Sequence, residues 1–252
     1  MERVMTKEEQ SRYGRIADEL RVEILSGKLP AGAQLPSVSE LRERYGVNVS
    51  TVVRALDTLK AEGHVVARQG AGVFVRRFEE IRRSSSGRLS SERRSSGLSI
   101  RDSDMAGRER RVGVVVETIK APEWVAEAFA VSHDTPVVAR SWRFEVDERP
   151  VQVAVSYYLA DMVRSSQVME TSAGPGGSYA RLAELGYAPH RFTEYLRARM
   201  PLPEEAEKLG LSWGAPVIEI IRHAFTTDSQ CVNVNRMVLD ASAYLLDYSF
   251  NA

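Results

Sequence analysis

Between Leu35 and Val75 the chain reads LPSVSELRERYGVNVSTVVRALDTLKAEGHVVARQGAGVFV, and this stretch restricts the possible folds more than any other. Ser37 can cap the free amides of a helix, and Glu40, three residues on, can return a bond to the cap. Leu41 and Tyr45 fall on one face of that helix, and Gly46 ends it. A further helix follows, with Asn48 as its cap. Val52, Ala55, Leu56 and Leu59 make its buried face and leave Val49, Ser50, Val53, Arg54 and Asp57 pointing outwards. Gly63 stops it. Val65, Val66, Val73 and Val75 then flank Arg68-Gln69-Gly70-Ala71-Gly72, a hairpin whose glycines permit positive φ at the tip. Upstream, Tyr13, Ile16, Ala17, Leu20 and Ile24 recur at helical spacing before Gly27 and Pro30. Three helices and a hairpin in some seventy residues form a complete small domain of winged helix-turn-helix outline.

The remaining length of the 252-residue chain calls for a second domain. The net charge is zero, but its distribution is not even. Residues 1–111 carry 22 Lys and Arg against 16 Asp and Glu, and residues 112–252 carry 12 against 18. A basic front half suits a phosphate backbone, and an acidic back half suits a separately solvated domain. No run is long and apolar enough for a membrane span, and Met1-Glu2-Arg3 begins no secretory signal, so a cytoplasmic protein without a membrane partner is expected. One cysteine, Cys231, and four scattered histidines offer no disulfide framework and no zinc-ligand spacing; no metal or cofactor is implied.

The front-half pattern has a resemblance. Tyr13…Ile16-Ala17…Leu20-Arg21…Ile24…Gly27, Pro30…Gly32…Leu35-Pro36-Ser37…Leu41…Tyr45-Gly46-Val47…Thr51-Val52…Ala55-Leu56…Leu59…Glu62-Gly63…Gly70…Gly72…Phe74-Val75 resembles the GntR family of bacterial transcription regulators, in register over residues 11–75. A helix of this diameter fits the major groove, and its first residues can reach base edges or offer amides to phosphate. The residues expected at DNA are therefore Ser37, Asn48, Ser50, Thr51 and Arg54. The wing would add Arg68, Gln69 and Gly70, with Arg68 and Gln69 reaching the adjacent minor groove. Family members often have Arg where this chain has Ser39, Val49 and Val53. Valine cannot donate to guanine but can contact a thymine methyl, so an altered operator is expected rather than lost binding.

The expected domains are 1–77 for the DNA-binding part, an Arg- and Ser-rich linker over 78–111, and 112–252 for the rest. The linker is either solvated or an extended segment ordered only against a neighbour, and its later part can belong to the following domain. The back half repeats itself. Pro122-Glu123-Trp124-Val125-Ala126-Glu127-Ala128-Phe129-Ala130-Val131-Ser132 with Pro136-Val137 is matched by Glu204-Glu205-Ala206-Glu207-Lys208-Leu209-Gly210-Leu211-Ser212 with Pro216-Val217. Each unit reads helix, strand, turn, strand, with strands at Val137–Val146, Val151–Tyr158, Val217–Phe225 and Val232–Leu239. Alternation along them predicts one buried and one more polar face, with helices on one side of an antiparallel sheet, an α+β domain.

The repeat, Arg199-Met200-Pro201 and Ser156-Tyr157-Tyr158 together resemble the UTRA effector domain of the HutC branch, related in fold to chorismate lyase. That resemblance implies a small-molecule pocket between sheet and loops. Arg140, Gln152, Ser156, Tyr158, Glu194, Arg222, Asn233 and Asn235 are its expected lining. An arginine in a sheet requires a protein carboxylate, such as Glu194 or Glu219, or an anionic ligand. Sugar-phosphate sensors of the branch often carry an acid near the positions of Ala154 and Asn233; neither is acidic here, which disfavours an amino-sugar phosphate. The expected function is that of a homodimeric transcription factor, most simply a repressor, that reads an inverted-repeat operator in double-stranded DNA and responds to an effector. The alternative is a chorismate-lyase-like enzyme with an accessory DNA-binding domain; His64, His133, His190 and His223 have no motif neighbours to support it.

Overall fold

A computed structural model describes residues 7–68, 70–76, 81–84, 109–147, 149–211 and 214–249, with side chains from residue 12 and, in the second half, from residue 112 onwards. The chain divides into two units, residues 1–79 with 211–216 and residues 80–210 with 217–252.

The first unit is built by three helices, α1 (Lys7–Leu25), α2 (Val38–Tyr45) and α3 (Val49–Ala61), and by the hairpin β1 (Val65–Arg68) and β2 (Gly72–Val75). The apolar stripes read from the sequence meet in one core: Ile16, Ala17 and Leu20 of α1, Leu41 of α2, and Val52, Ala55, Leu56 and Leu59 of α3 are buried with Leu35, Val65 and Val75. Burying that many aliphatic side chains, each contributing roughly 1.5–3 kcal/mol, is what holds helices this short in place. Two ion pairs fix their angles at the rim. Arg21 donates from Nε and Nη2 to both carboxylate oxygens of Glu62, tying α1 to the end of α3. Arg44 on α2 reaches Glu23 on α1 at 2.8 Å. The wing also has a third, extended segment that the sequence pattern did not suggest: Leu35 N–H donates to Val73 O and Val75 N–H to Ala33 O, both at 2.8 Å.

The second unit is organised by a six-stranded antiparallel sheet of order β4-β5-β6-β9-β8-β7. The strands are β4 (Glu109–Lys120), β5 (Pro136–Val146), β6 (Arg149–Leu159), β7 (Arg191–Arg199), β8 (Val217–Phe225) and β9 (Cys231–Asp240). The repeat supplies the hairpins β5–β6 and β8–β9, which join through β6 and β9, with β4 and β7 at the edges. Its two helices, α4 (Glu123–Phe129) and α7 (Pro203–Leu209), cross over: α4 packs on β9 of the other copy and α7 on β6 of the first. Each copy therefore covers the other, which is why neither buries its own hairpin alone.

The expectation of one buried and one polar sheet face is corrected here. On one face α4 covers Val137, Ala139, Tyr157 and Val234. On the other, α5 (Ala160–Val163), a 3-10 turn at Gln167–Met169 and α6 (Gly177–Glu184) bring Val163, Val168 and Leu182 against Val138, Tyr158 and Ala224. Central strands of a two-sided core are apolar in consecutive positions, as in the buried Met237-Val238-Leu239 of β9, and so lose clean alternation. Within the expected linker, Ile81–Ser84 forms β3, an extended segment held in parallel against β10 (Tyr244–Asp247), and Glu109–Arg111 open β4.

Candidate functional site

Two surfaces carry the residues singled out above. On the first unit, Ser37 is the N-cap of α2: Glu40 N–H donates to its Oγ at 3.2 Å, and Ser37 N–H donates to Glu40 Oε2 at 2.7 Å. That reciprocal pair holds the Glu40 carboxyl below its ordinary value. Asn48 caps α3, and its Oδ1 accepts from Thr51 N–H at 2.9 Å, Ser50 Oγ at 2.8 Å and Thr51 Oγ1 at 2.7 Å. The start of α3 is thus fixed by its own side chains before anything binds. Val49, Ser50, Val53 and Arg54 lie side by side on the exposed face, with Val49 49% and Val53 39% exposed. Thr51 is placed differently from its neighbours: it is buried, with its hydroxyl engaged by Asn48.

At the wing, the Arg68 guanidinium lies over the Phe74 ring, 4.6 Å from its centroid, so it is held out along the hairpin rather than free to fold back. Gly70 and Gly72 adopt φ of +71° and +108°, the left-handed backbone that the tight tip needs. Gln34 Nε2 donates to Ala71 O at 2.8 Å and braces that tip from below. Gln69 lies outside the described residues.

On the second unit, all eight expected effector residues lie on one face of the sheet, the face covered by α5 and α6. Strand register puts Val116, Arg140, Ser156, Asn235, Arg222 and Glu194 in a single row across the six strands. Five of the six are polar: Arg140, Ser156, Asn235 and Arg222 are buried, and the Glu194 side chain is 6% exposed. The adjacent rows are mostly apolar: Val138, Tyr158, Asn233, Ala224 and Phe192 on one side, Trp142, Ala154, Met237, Ile220 and Leu196 on the other. Gln152 lies farther along the same face, opposite Phe144 and Leu239.

The chemistry of the row is uneven. Arg140, wholly buried, donates to the carbonyls of Val168 at 2.7 Å, Glu170, and Thr171 at 3.2 Å, so backbone dipoles alone solvate its charge. Burial pushes that guanidinium below its ordinary value. Arg222 donates from Nε at 2.8 Å and Nη2 at 2.7 Å to Glu194 Oε1. Burial alone would raise the Glu194 carboxyl, but Arg222 and a second arginine, Arg83 on β3, pull it down to about 2. Asn233 is engaged within the protein, donating to Tyr157 O and accepting from Tyr179 Oη, each at 3.0 Å. Asn235 Oδ1 is buried with no hydrogen-bond partner. A buried acceptor without a partner costs about 1–3 kcal/mol.

Arg83, Tyr179 and Tyr248 were not singled out by the sequence. Arg83 donates to Glu194 Oε1 at 2.7 Å, and Tyr248 Oη donates to Glu194 Oε2 at 3.0 Å. A four-residue strand inside an Arg- and Ser-rich stretch has too few positions to show a period. Among the described residues no group of His, Cys, Asp and Glu is arranged to hold a metal, and no helix is long and apolar enough to cross a membrane. A cavity of about 600 Å³ opens on the opposite sheet face, between α7 and β4–β6. Its lining charges are each paired within the protein: Arg236 with Glu205, Lys208 with Glu204, and Arg143 with Glu145.

Comparison with known proteins identifies both domains. Residues 12–75 match the model of bacterial regulatory proteins of the gntR family, and residues 112–244 match the UTRA domain. An HTH-type transcriptional regulator of Streptomyces coelicolor is 29% identical over 95% of this chain and 92% of its own length. Another, of Rhizobium meliloti, is 33% identical over 82% of each chain. The crystal structure of a GntR-family transcriptional regulator superposes with a TM-score of 0.62 at 28% identity, covering 96% of this chain and 98% of its own. PhnF from Mycobacterium smegmatis shares the fold, with a TM-score of 0.57 at 22% identity over 94% of this chain and 99% of that one. With a capped, outward-facing α3 and wing in front and a buried polar row behind, the chain belongs to the GntR family of bacterial transcriptional regulators and carries a UTRA effector domain.

Proposed function

We propose that this regulator is a homodimeric, cytoplasmic repressor whose hold on an inverted-repeat operator is relieved by an anionic small molecule in the polar row. The observation that carries the effector reading is the charge of that row. Arg222 and Arg83 share the one carboxylate of Glu194, and Arg140, elsewhere in the row, is balanced by backbone carbonyls alone. A buried excess of cation is stabilised by an incoming carboxylate or phosphate more than by a neutral ligand. A thermal-shift screen of anionic and neutral metabolites tests this: a ligand that binds only the folded state must raise its stability. The reading is lost if neutral ligands alone stabilise the chain.

At DNA, Ser50 and Arg54 would reach base edges, and Val49 and Val53 would meet thymine methyls. Ser37, Asn48 and Gly70 would face the backbone, and Arg68 with Gln69 the minor groove. Thr51 acts through Asn48, holding the cap. Arg54→Ala is expected to weaken binding to a mapped operator by roughly 1–3 kcal/mol, measured by titration at fixed salt against random DNA. Equal affinity for operator and random DNA would reduce the chain to non-specific binding, and turnover of chorismate by the purified chain would revive the lyase alternative.

A further inference from the structure

Glu194 belongs to two elements at once. Its Oε1 accepts from Arg222 Nε and Nη2, in the polar row, and from Arg83 Nη2, on β3. Both guanidiniums are almost wholly inaccessible, 2% exposed for Arg83 and 4% for Arg222. Two cations therefore share one carboxylate in a dry environment, and Arg83 Nη1 is left buried with no hydrogen-bond partner. β3 is four residues long and is paired on one side with the four residues of β10; besides Arg83 it is held by buried Ile81 and by the exposed Arg82, which pairs with Asp247 at 2.9 Å. It is also the first described strand after the DNA-binding unit, whose last described residue is Arg76.

Charge arithmetic fixes the direction of any coupling. Each guanidinium raises the cost of holding the other against Glu194. An anion that neutralises Arg222 removes that repulsion and leaves Glu194 to Arg83. We propose that Arg83 is the positioning residue that ties the polar row to β3, so that an anion seated against Arg222 locks β3 onto β10 and fixes where the chain enters the effector domain. The proposal rests on the reading of the row as the effector site. An effector that differs in affinity between docked and loosened β3 shifts their populations by that difference and by no more.

The test needs no identified ligand. Asn235 is paired with Arg222 across the strands and is isosteric with aspartate, so Asn235→Asp places a carboxylate where the anion would sit. Hydrogen exchange of the β3 and β10 amides is measured in the full chain for wild type, Asn235→Asp, Arg83→Met and the double variant. Arg83→Met is expected to speed β3 exchange. Asn235→Asp is expected to slow it by about five- to tenfold in the wild-type background and to leave it unchanged beside Arg83→Met. Exchange that is unaltered by Asn235→Asp, or slowed equally in both backgrounds, overturns the proposal. Should Asn235→Asp fail to fold, Arg222→Gln also leaves Glu194 to Arg83 and is expected to slow exchange; faster exchange there overturns the proposal as well. Operator affinity of the same proteins separates the two readings: β3 that tightens while operator affinity stays constant supports the role of Arg83 and sinks effector control of DNA binding.

Discussion

Asn48 shows how much one side chain organises at the start of α3. Its Oδ1 accepts one backbone and two hydroxyl donors, so the first turn of α3 is set without help from the rest of the unit. Asn48→Ala is expected to cost about 1 kcal/mol of stability, up to 2, as a lower melting temperature of the full chain. Cys231 sits at the opposite extreme of reactivity. Burial pushes its thiol up to about 11, so in the folded chain a disulfide reagent at pH 8 should modify it far more slowly than in denaturant. Rapid modification of the native protein would mean that the end of β9 opens readily.

Among the elements, the repeated helices make the same turn with different residues. Gly210 ends α7 with φ of +60°, and Ala130, its counterpart in the repeat, ends α4 with φ of +55°. A left-handed alanine costs roughly 1–2 kcal/mol over glycine, so Ala130→Gly is expected to stabilise the second unit by about 1 kcal/mol in chemical denaturation. The helices and their caps were legible because capping and 3.6-residue periodicity act within a few residues. The crossing of α4 onto β9 and of α7 onto β6 was not, since it depends on how two repeats bury their apolar faces together.

For the whole molecule, the buried ion cluster links stability to pH. The Glu194 carboxyl moves from its ordinary 4.5 to about 2 on folding, so the stabilisation it brings is complete above about pH 4.5 and is lost as pH falls towards 2. Glu194→Gln should lower stability at pH 7 by about 3 kcal/mol, because it leaves Arg83 and Arg222 without their carboxylate, and should flatten this acid limb of the unfolding curve. An acid limb unchanged in the variant would assign it to other carboxylates, of which Glu205, also at about 2, is the first to examine.

The sequence alone determined most of the front unit: its core from Ile16 to Val75, the α2 and α3 caps and the exposed Val49-Ser50-Val53-Arg54 face follow from local patterns, while α1 begins at Lys7, ahead of the apolar stripe that opens at Tyr13. It also indicated Arg140, Ser156, Asn235 and Arg222 for one face, because strand alternation and a repeat set their positions, and added Glu194 from the strand between the copies. Only the tertiary structure decided what those groups do. It gave Arg140 to three carbonyls of a distant loop, turned Asn233 inwards to Tyr179, covered both sheet faces, and brought Arg83 from a stretch without apolar pattern onto Glu194. Charges find partners across space rather than along the chain, and a cation 111 positions from its carboxylate leaves no periodic trace.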